Sequence, residues 1–167
     1  MALWISSVCA NEGLWSIGMK VQGVVDLAPG NDYLVGPEIG YSDLSLASHR
    51  LQFRIAYLTS RLEQISRENI LKQDEFLFSP VWHFRWMSFF DPTIQLDLGY
   101  ARYDVENEEI FGALDNDTWI AALNLGMGCN FSESKYGFSY SLGYNLINSE
   151  SSIIYPLVFG VGVWVGL

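Results

Sequence analysis

Bulky apolar residues alternate with small or polar residues along eight segments of this chain, and no other feature restricts its fold as strongly. In the seventh segment, aromatic residues and a leucine occupy the even positions from 136 to 144, while Gly, Ser and Asn occupy the odd positions from 137 to 145. A period of two places alternate side chains on opposite faces of a β-strand. The sequence therefore predicts eight strands, at residues 14–26, 33–42, 49–62, 75–90, 93–104, 118–131, 136–147 and 153–167.

The volume of the bulky faces indicates which way they point. An eight-stranded barrel has an interior just wide enough for ordinary side chains, and the aromatic-rich faces of these segments exceed it. The opposite faces carry Gly, Ser, Ala, Asn, Gln and a few charged residues, which fit inside. A continuous apolar outer belt is stable only in lipid. We therefore predict an all-β, eight-stranded antiparallel up-and-down transmembrane β-barrel, with a water-soluble two-sheet sandwich as the alternative.

Length, composition and charge agree with one membrane domain. The chain has 167 residues, 50% of them hydrophobic and 15% aromatic, and a net charge of −10. This length is that of a single domain, and the negative charge disfavours nucleic-acid binding. No apolar run reaches the ~18 residues of a membrane helix. We assign residues 11–167 to a single transmembrane β-barrel domain. Residues 1–10 are a leader remnant or an unstructured N-terminus, since Val8, Cys9 and Ala10 resemble a signal-peptide cleavage site.

The C-terminal segment links the chain to a known family. Apolar residues occupy its alternating positions Tyr155, Leu157, Phe159, Val161, Val163, Val165 and Leu167. This pattern resembles the signal that is read by the barrel-insertion machinery. With the strand number and the alternation, it resembles the small eight-stranded outer-membrane barrels of the OmpA membrane-domain, OmpX and OmpW type. That family usually ends in an aromatic residue, whereas this chain ends in Leu167. Trp164 is aromatic, but it occupies an even position and so lies on the opposite face from the alternating apolar residues.

The resemblance implies an environment and a set of partners. An OmpA-like protein lies in the outer membrane of a Gram-negative bacterium, surrounded by the lipid bilayer and lipopolysaccharide. The barrel-insertion machinery is its partner during biogenesis. We expect a monomer with no nucleic-acid partner. We also predict no cofactor and no metal site, because Cys9 and Cys129 alone cannot form a metal motif or a disulfide framework.

The lengths of the predicted links give partial support to this topology. Outer-membrane barrels alternate short periplasmic turns with longer external loops. The links after the third and fifth segments, residues 63–74 and 105–117, are the longest, and those after the fourth and sixth are short. The first and seventh links, which should be external, are predicted to be short and do not fit. The stretch 104–117 carries six acidic residues and no basic residue, which suits either a solvated loop or a site for cations or a basic partner.

Charged residues on the small-residue faces form the candidate functional site. We predict that they project into the barrel as a polar network or gate made of Lys20, Glu38, Arg54, His83, Arg85 and Asp97. Charges inside a narrow barrel must be paired or hydrated, because the burial of an isolated charge costs several kcal/mol. The resemblance to OmpA implies an interior of salt bridges and trapped water. Two interpretations remain: a static structural plug, or a narrow ion path whose pairs can exchange.

Expected turn positions predict which charges lie opposite each other. A first turn centred on Pro29 would place Lys20 opposite Glu38. A second turn near residue 46 would place Glu38 opposite Arg54. A turn at residues 91–92 would place Arg85 opposite or diagonal to Asp97.

Three functions are compatible with these features. The first is a non-enzymatic outer-membrane protein with a structural envelope role or a narrow porin-like passage for small solutes. The second is a lipid A-modifying enzyme that uses Ser79, His83 and Glu75. The spacing disfavours it, because even adjacent residues on one face of a strand lie ~7 Å apart. The third is a surface-loop binding or adhesion module.

Overall fold

The structure, a computed structural model, describes residues 14–25, 33–46, 49–60, 71–84, 90–105, 117–130, 136–146 and 157–167. They form eight β-strands: β1 (Leu14–Val25), β2 (Tyr33–Leu46), β3 (His49–Thr59), β4 (Leu71–Phe84), β5 (Phe90–Val105), β6 (Asp117–Asn130), β7 (Tyr136–Asn145) and β8 (Leu157–Gly166). Each strand pairs with the next along the chain, and antiparallel pairing of β1 with β8 closes the sheet. The predicted up-and-down barrel is confirmed, and the sandwich alternative is wrong. Within the described residues, no helix is long and apolar enough to cross a membrane.

The largest difference from the predicted strands lies between β4 and β5. The sequence analysis placed a turn at Asp91 and Pro92, but β4 ends at Phe84 and β5 already begins at Phe90. Asp91 and Pro92 lie within β5, where they pair with Gly128 and Met127 of β6. An Asp-Pro pair is only a local turn signal. Pairing along the full length of the neighbouring strand outweighs it here.

Long and short links alternate around the barrel. Residues 26–32, 60–70, 106–116 and 146–156 connect strands at one end, which we call the long-link end. Residues 47–48, 85–89 and 131–135 connect them at the other, the short-link end. Residues 147–156 of the seventh link lie outside the described residues, so the prediction that this link is short stays a prediction. This alternation is typical of outer-membrane barrels. Most of the acidic stretch 104–117 lies outside the described residues, so its role stays a prediction.

The outer wall of the barrel is apolar. Ile55 is 60% exposed, Phe76 58% and Leu125 60%, whereas Arg54 and Asp97, on the inner faces, are only 5% and 4% exposed. The predicted orientation is therefore confirmed. An apolar wall of this kind is stable in lipid but not in water.

Aromatic pairs lie on the outer wall toward both ends of the barrel. At the short-link end, the rings of Trp15 and Tyr41 are 4.8 Å apart. At the long-link end the pairs are Tyr33–Phe159, Tyr57–Phe76 and Tyr100–Trp119, with ring centroids 6.3, 4.9 and 5.5 Å apart. Aromatic girdles at these two levels are typical of the membrane–water interfaces of transmembrane barrels.

The interior also contains an apolar layer, which the sequence analysis did not predict. Leu34, Ala56, Leu58 and Leu77 form a buried cluster, and Ile120 packs against it. Leu58 is 0% exposed. The inner faces are therefore not small and polar throughout. Toward the long-link end, the lumen is filled by branched apolar side chains.

Candidate functional site: the charged interior

Asp97, on β5, is the centre of the interior polar network. One carboxylate oxygen accepts hydrogen bonds from the Ser79 hydroxyl and the Gln95 amide. The other accepts from the Asn124 amide at 3.0 Å and from Lys20 Nζ at 3.3 Å. Four donors from β1, β4, β5 and β6 thus converge on one carboxylate that is 4% exposed. Such convergence compensates a buried negative charge.

Arg54, on β3, forms a second ion pair inside the barrel. One of its terminal nitrogens lies 3.6 Å from a Glu38 carboxylate oxygen, and its Nε donates to Gln52 Oε1 at 2.9 Å. The same Gln52 oxygen lies 3.1 Å from His83 Nε2. The Gln52 amide nitrogen donates to Ser16 Oγ at 3.3 Å. These contacts tie β1, β2, β3 and β4 together toward the short-link end.

A third polar group, Glu75, lies toward the long-link end. Its carboxylate accepts hydrogen bonds from the Gln22 amide at 3.1 Å and the Gln73 amide at 2.6 Å. Glu75 pairs with Leu58 in the β3–β4 ladder, so it lies at the level of the apolar layer. It was not among the predicted network residues. Glu75 and His83 are an even number of positions apart on β4 and therefore share a face, which was a sufficient signal to include Glu75.

The structure places five of the six predicted network residues in the interior. They are Lys20, Glu38, Arg54, His83 and Asp97. Arg85 lies outside the described residues, so its predicted place opposite Asp97 stays a prediction. Ser79 and Asn124 were not predicted as ligands of Asp97, because neither side chain is charged and the predicted network was built on ion pairs.

Two of the predicted cross-strand oppositions, Lys20 with Glu38 and Glu38 with Arg54, are wrong, although these residues face the predicted way. Lys20 pairs with Gly36 in the β1–β2 ladder, and Glu38 pairs with Gly18. The register differs from the prediction by two residues, which changes the partner but not the face. Lys20 consequently reaches across the barrel to Asp97 instead of contacting Glu38.

Arg54 shows the same shift with a different outcome. It pairs with Gly40, and Glu38 pairs with Ala56, so Arg54 and Glu38 are diagonal neighbours. Their ion pair at 3.6 Å nevertheless forms, because long side chains can reach a diagonal neighbour on one face of a sheet.

Trp164, on β8, narrows the interior at the short-link end. Its parity matches that of the inward-facing Gly160 and Gly162, and its indole ring lies directly over Gly137 of β7, where a Cβ atom would collide with the ring. Glycine at position 137 is therefore required by close packing. The unusual parity of Trp164 in the sequence follows from its place inside the barrel.

Ser79 and His83, the residues of the alternative serine–histidine site, have different partners inside the barrel. Ser79 donates its hydroxyl proton to Asp97, whereas His83 contacts Gln52. The pair needed for a serine–histidine mechanism is thus divided between two clusters. No group of three or more His, Cys, Asp or Glu residues in the described strands could hold a metal ion.

Comparisons with known proteins identify the fold. No family model matches the chain, and no curated protein matches it in sequence. Ail, the attachment invasion locus protein of Yersinia pestis, solved in complex with the heparin analogue sucrose octasulfate, is similar in structure with a TM-score of 0.57 and 15% identity. The match covers 93% of this chain and 97% of that chain.

Two further solved structures agree. The outer membrane protein OprG from Pseudomonas aeruginosa has a TM-score of 0.53 and 14% identity, over 93% of this chain and 95% of that one. Neisserial surface protein A has a TM-score of 0.53 and 14% identity, over 92% of this chain and 96% of that one. At such identities the similarity shows the fold alone. This chain is an eight-stranded barrel with the fold of the small bacterial outer-membrane proteins.

Proposed function

We propose that this chain is an integral outer-membrane protein whose barrel is a closed scaffold that presents its four long links at one face of the membrane. The observation that carries the proposal is the row of side chains that occupy the lumen. The apolar layer around Leu58 lies toward the long-link end, Trp164 lies toward the short-link end, and two ion pairs lie between them. A barrel filled in this way has no room for solutes of ordinary metabolite size.

The filling of the interior favours a plug over a porin-like passage. A solute would have to displace Leu34, Leu58 and Leu77, which are 2%, 0% and 3% exposed. It would then have to separate Lys20 from Asp97. Separation of this pair would leave two buried charges without their partners, which is unfavourable, so we expect spontaneous opening to be rare.

Conductance through a planar bilayer tests the proposal. We expect the folded barrel, verified by a heat-modifiable gel band, to show no steady ion current. We expect a variant with Leu58→Ser and Leu77→Ser to conduct, because it replaces the apolar layer with small polar groups. Leu123→Ser, on the lipid face where Leu123 is 42% exposed, is the matched control and should stay closed.

Two results would contradict the scaffold proposal. A steady current through the unmodified barrel that changes with Arg54→Ala would favour the gated ion path. A change in the mass of lipopolysaccharide incubated with the folded barrel would favour the lipid-modifying enzyme.

A binding role at the long-link end is the second candidate. Ail, whose fold this chain shares, is named for attachment and invasion and binds a heparin analogue in its solved complex. The present chain carries a net charge of −10 and an acidic stretch at residues 104–117. Like charges repel at a surface. If the long links bind a partner, we therefore propose a basic one instead of a sulfated polysaccharide.

A further inference from the structure

An open groove crosses the outer wall of the barrel over β7, β8, β1, β2 and β3. Its volume is about 750 Å³, within the ~300–1,000 Å³ that is usual for small-molecule sites. Seven apolar side chains and two tyrosines line it, together with Gly18, Glu38 and Trp164. These last three occupy inward positions of their strands, and Glu38 pairs there with Arg54. They therefore form the floor of the groove with their backbone, and its surface is apolar.

The register of the strands explains the shape of the groove. One side is a row of outward residues that pair across four strand boundaries, namely Tyr136, Val165, Ile17, Ile39 and Ile55. The other side is the next outward row, formed by Val163, Met19, Pro37 and Tyr57. Neither row carries an aromatic ring on β8, β1 or β2, so the middle of the groove stays open.

The length of the groove suits one hydrocarbon chain. Four steps of ~4.8 Å between neighbouring strands give the first row a length of ~19 Å. One leaflet, half of the hydrocarbon core, is ~15 Å deep. Because the strands of such barrels tilt by ~35–45°, the row crosses the wall obliquely. A chain from one leaflet can therefore lie along most of its length.

We propose that this groove holds one acyl chain of a membrane phospholipid, which enters from the short-link end. The outer wall lies in lipid, so hydrocarbon must fill the groove, because an empty one would forfeit dispersion contacts along its lining. A chain between two rows of side chains makes more of these contacts than a chain on a convex wall, and it is held longer. The proposal requires only the membrane location of the barrel and is independent of what fills the lumen.

Two tyrosines indicate the direction of the chain. The Tyr57 hydroxyl donates to Asp74 at 2.9 Å, and the Tyr57 ring centroid lies 4.9 Å from that of Phe76. These contacts hold Tyr57 at the long-link end of the groove, which it bounds. Tyr136, at the short-link end, is 64% exposed, so a chain has access from that side.

A second copy of the barrel fits the groove less well than a lipid chain. A symmetric dimer places the same surface of two molecules against each other. Two grooves in contact would enclose an empty space, and their linings would lose dispersion contacts. A single chain fills the same space.

Photolabelling in lipid vesicles tests the proposal on the unmodified protein. The folded barrel is placed in dimyristoyl phosphatidylcholine vesicles that contain a small share of a phosphatidylcholine with a diazirine on one acyl chain. A diazirine near the ester should label residues around Tyr136 and Val165, and one at the chain end should label residues around Ile39 and Ile55. Equal labelling of all eight strands, or the reverse order of the two probes, would overturn the proposal.

Two tryptophan variants separate the groove from the rest of the wall. Ile17→Trp places a ring in the middle of the groove, where Ile17 is 45% exposed. It should lower the labelling at Ile39 and Ile55 by about threefold, which corresponds to the loss of about five carbon–carbon contacts. Leu123→Trp, on β6 at 42% exposure, is the matched control and should leave this labelling unchanged. Undiminished labelling in Ile17→Trp would contradict the site.

The ratio of protein to lipid distinguishes an acyl chain from a second copy. Labelling of the groove should stay constant as the ratio is raised, because each barrel holds its own chain. A fall in labelling that accompanies the formation of dimers would assign the groove to a second copy and overturn the proposal.

Discussion

Asp97 and Lys20 show how single residues stabilise the inside of this barrel. Lys20 is 6% exposed and Asp97 4%, and neither charge can regain its hydration without opening of the sheet. The pair is favourable only because amide and hydroxyl donors complete the ligand set of Asp97. A buried ion pair is often no better than an apolar pair of similar size, but loss of one partner is costly.

We expect Asp97→Asn to lower the free energy of unfolding by about 3–5 kcal/mol, because it leaves the Lys20 ammonium buried without its counter-charge. The double variant Lys20→Met with Asp97→Asn should recover part of this loss, since the unpaired charge is gone. Urea unfolding in micelles, compared across the two single variants and the double variant, gives the coupling energy. Strictly additive losses would show that the two side chains do not stabilise each other.

The strands show why the face that a residue occupies was easier to predict than its pairing partner on the next strand. A bulge between Ser42 and Leu44 shifts the β2–β3 pairing by one residue, which adds twist and changes the alignment beyond it. Such an insertion leaves the alternation of the preceding residues intact, so it is not visible as a break in the period. The β1–β8 pairing contains no such shift, and Val163 points outward at 56% exposure opposite Met19 of β1.

The depth of β8 in the membrane gives a prediction at this scale. We expect Val163→Arg, near the middle of the strand, to lower the free energy of unfolding in lipid vesicles by about 2–4 kcal/mol. Leu157→Arg, at the strand end nearest the long links, is the control and should cost only about 0–1 kcal/mol. Both positions face outward, at 56% and 41% exposure. Equal losses for the two variants would contradict a lipid-facing β8.

At the scale of the whole molecule, the long links and the negative charge affect which partners the protein can bind outside the membrane. All four long links emerge at one end of the barrel, and the acidic stretch 104–117 includes one of them. A concentrated negative charge steers basic partners toward a surface and repels acidic ones. In the proposed function, the barrel beneath holds this end in place.

We expect the folded barrel to be retained on immobilised polylysine at low salt and to elute as salt is raised, because the attraction between exposed charges is screened. Replacement of the acidic residues between 106 and 115 by their amides should abolish the retention. The double variant Lys20→Met with Asp97→Asn removes both partners of a buried ion pair and leaves the surface charge unchanged, so it is the control and should bind normally. Retention on heparin instead of polylysine would contradict a preference for basic partners.

The sequence predicted which face the charged interior residues occupy, but it predicted neither their contacts nor the uncharged ligands Ser79 and Asn124. Lys20, Glu38 and Arg54 could be placed inside from parity alone, because the two faces of a strand are fixed by backbone geometry. Leu58 and Leu77 could have been placed inside by the same rule, but bulky residues were assigned to the lipid face as a class. The inward Trp164 was visible as a break in parity on β8, and only the structure shows that it packs over Gly137.

The sequence by itself determined that bulky apolar residues alternate with small or polar residues along eight strands, and that the apolar face of each strand points to lipid. The first follows from the two-residue period and the second from side-chain volume. Only the tertiary structure decided that Lys20 contacts Asp97 and that an apolar layer lies inside the barrel toward the long-link end. The reason is physical: the direction of a side chain is a local property of the strand, whereas its partner depends on the register and closure of all eight strands.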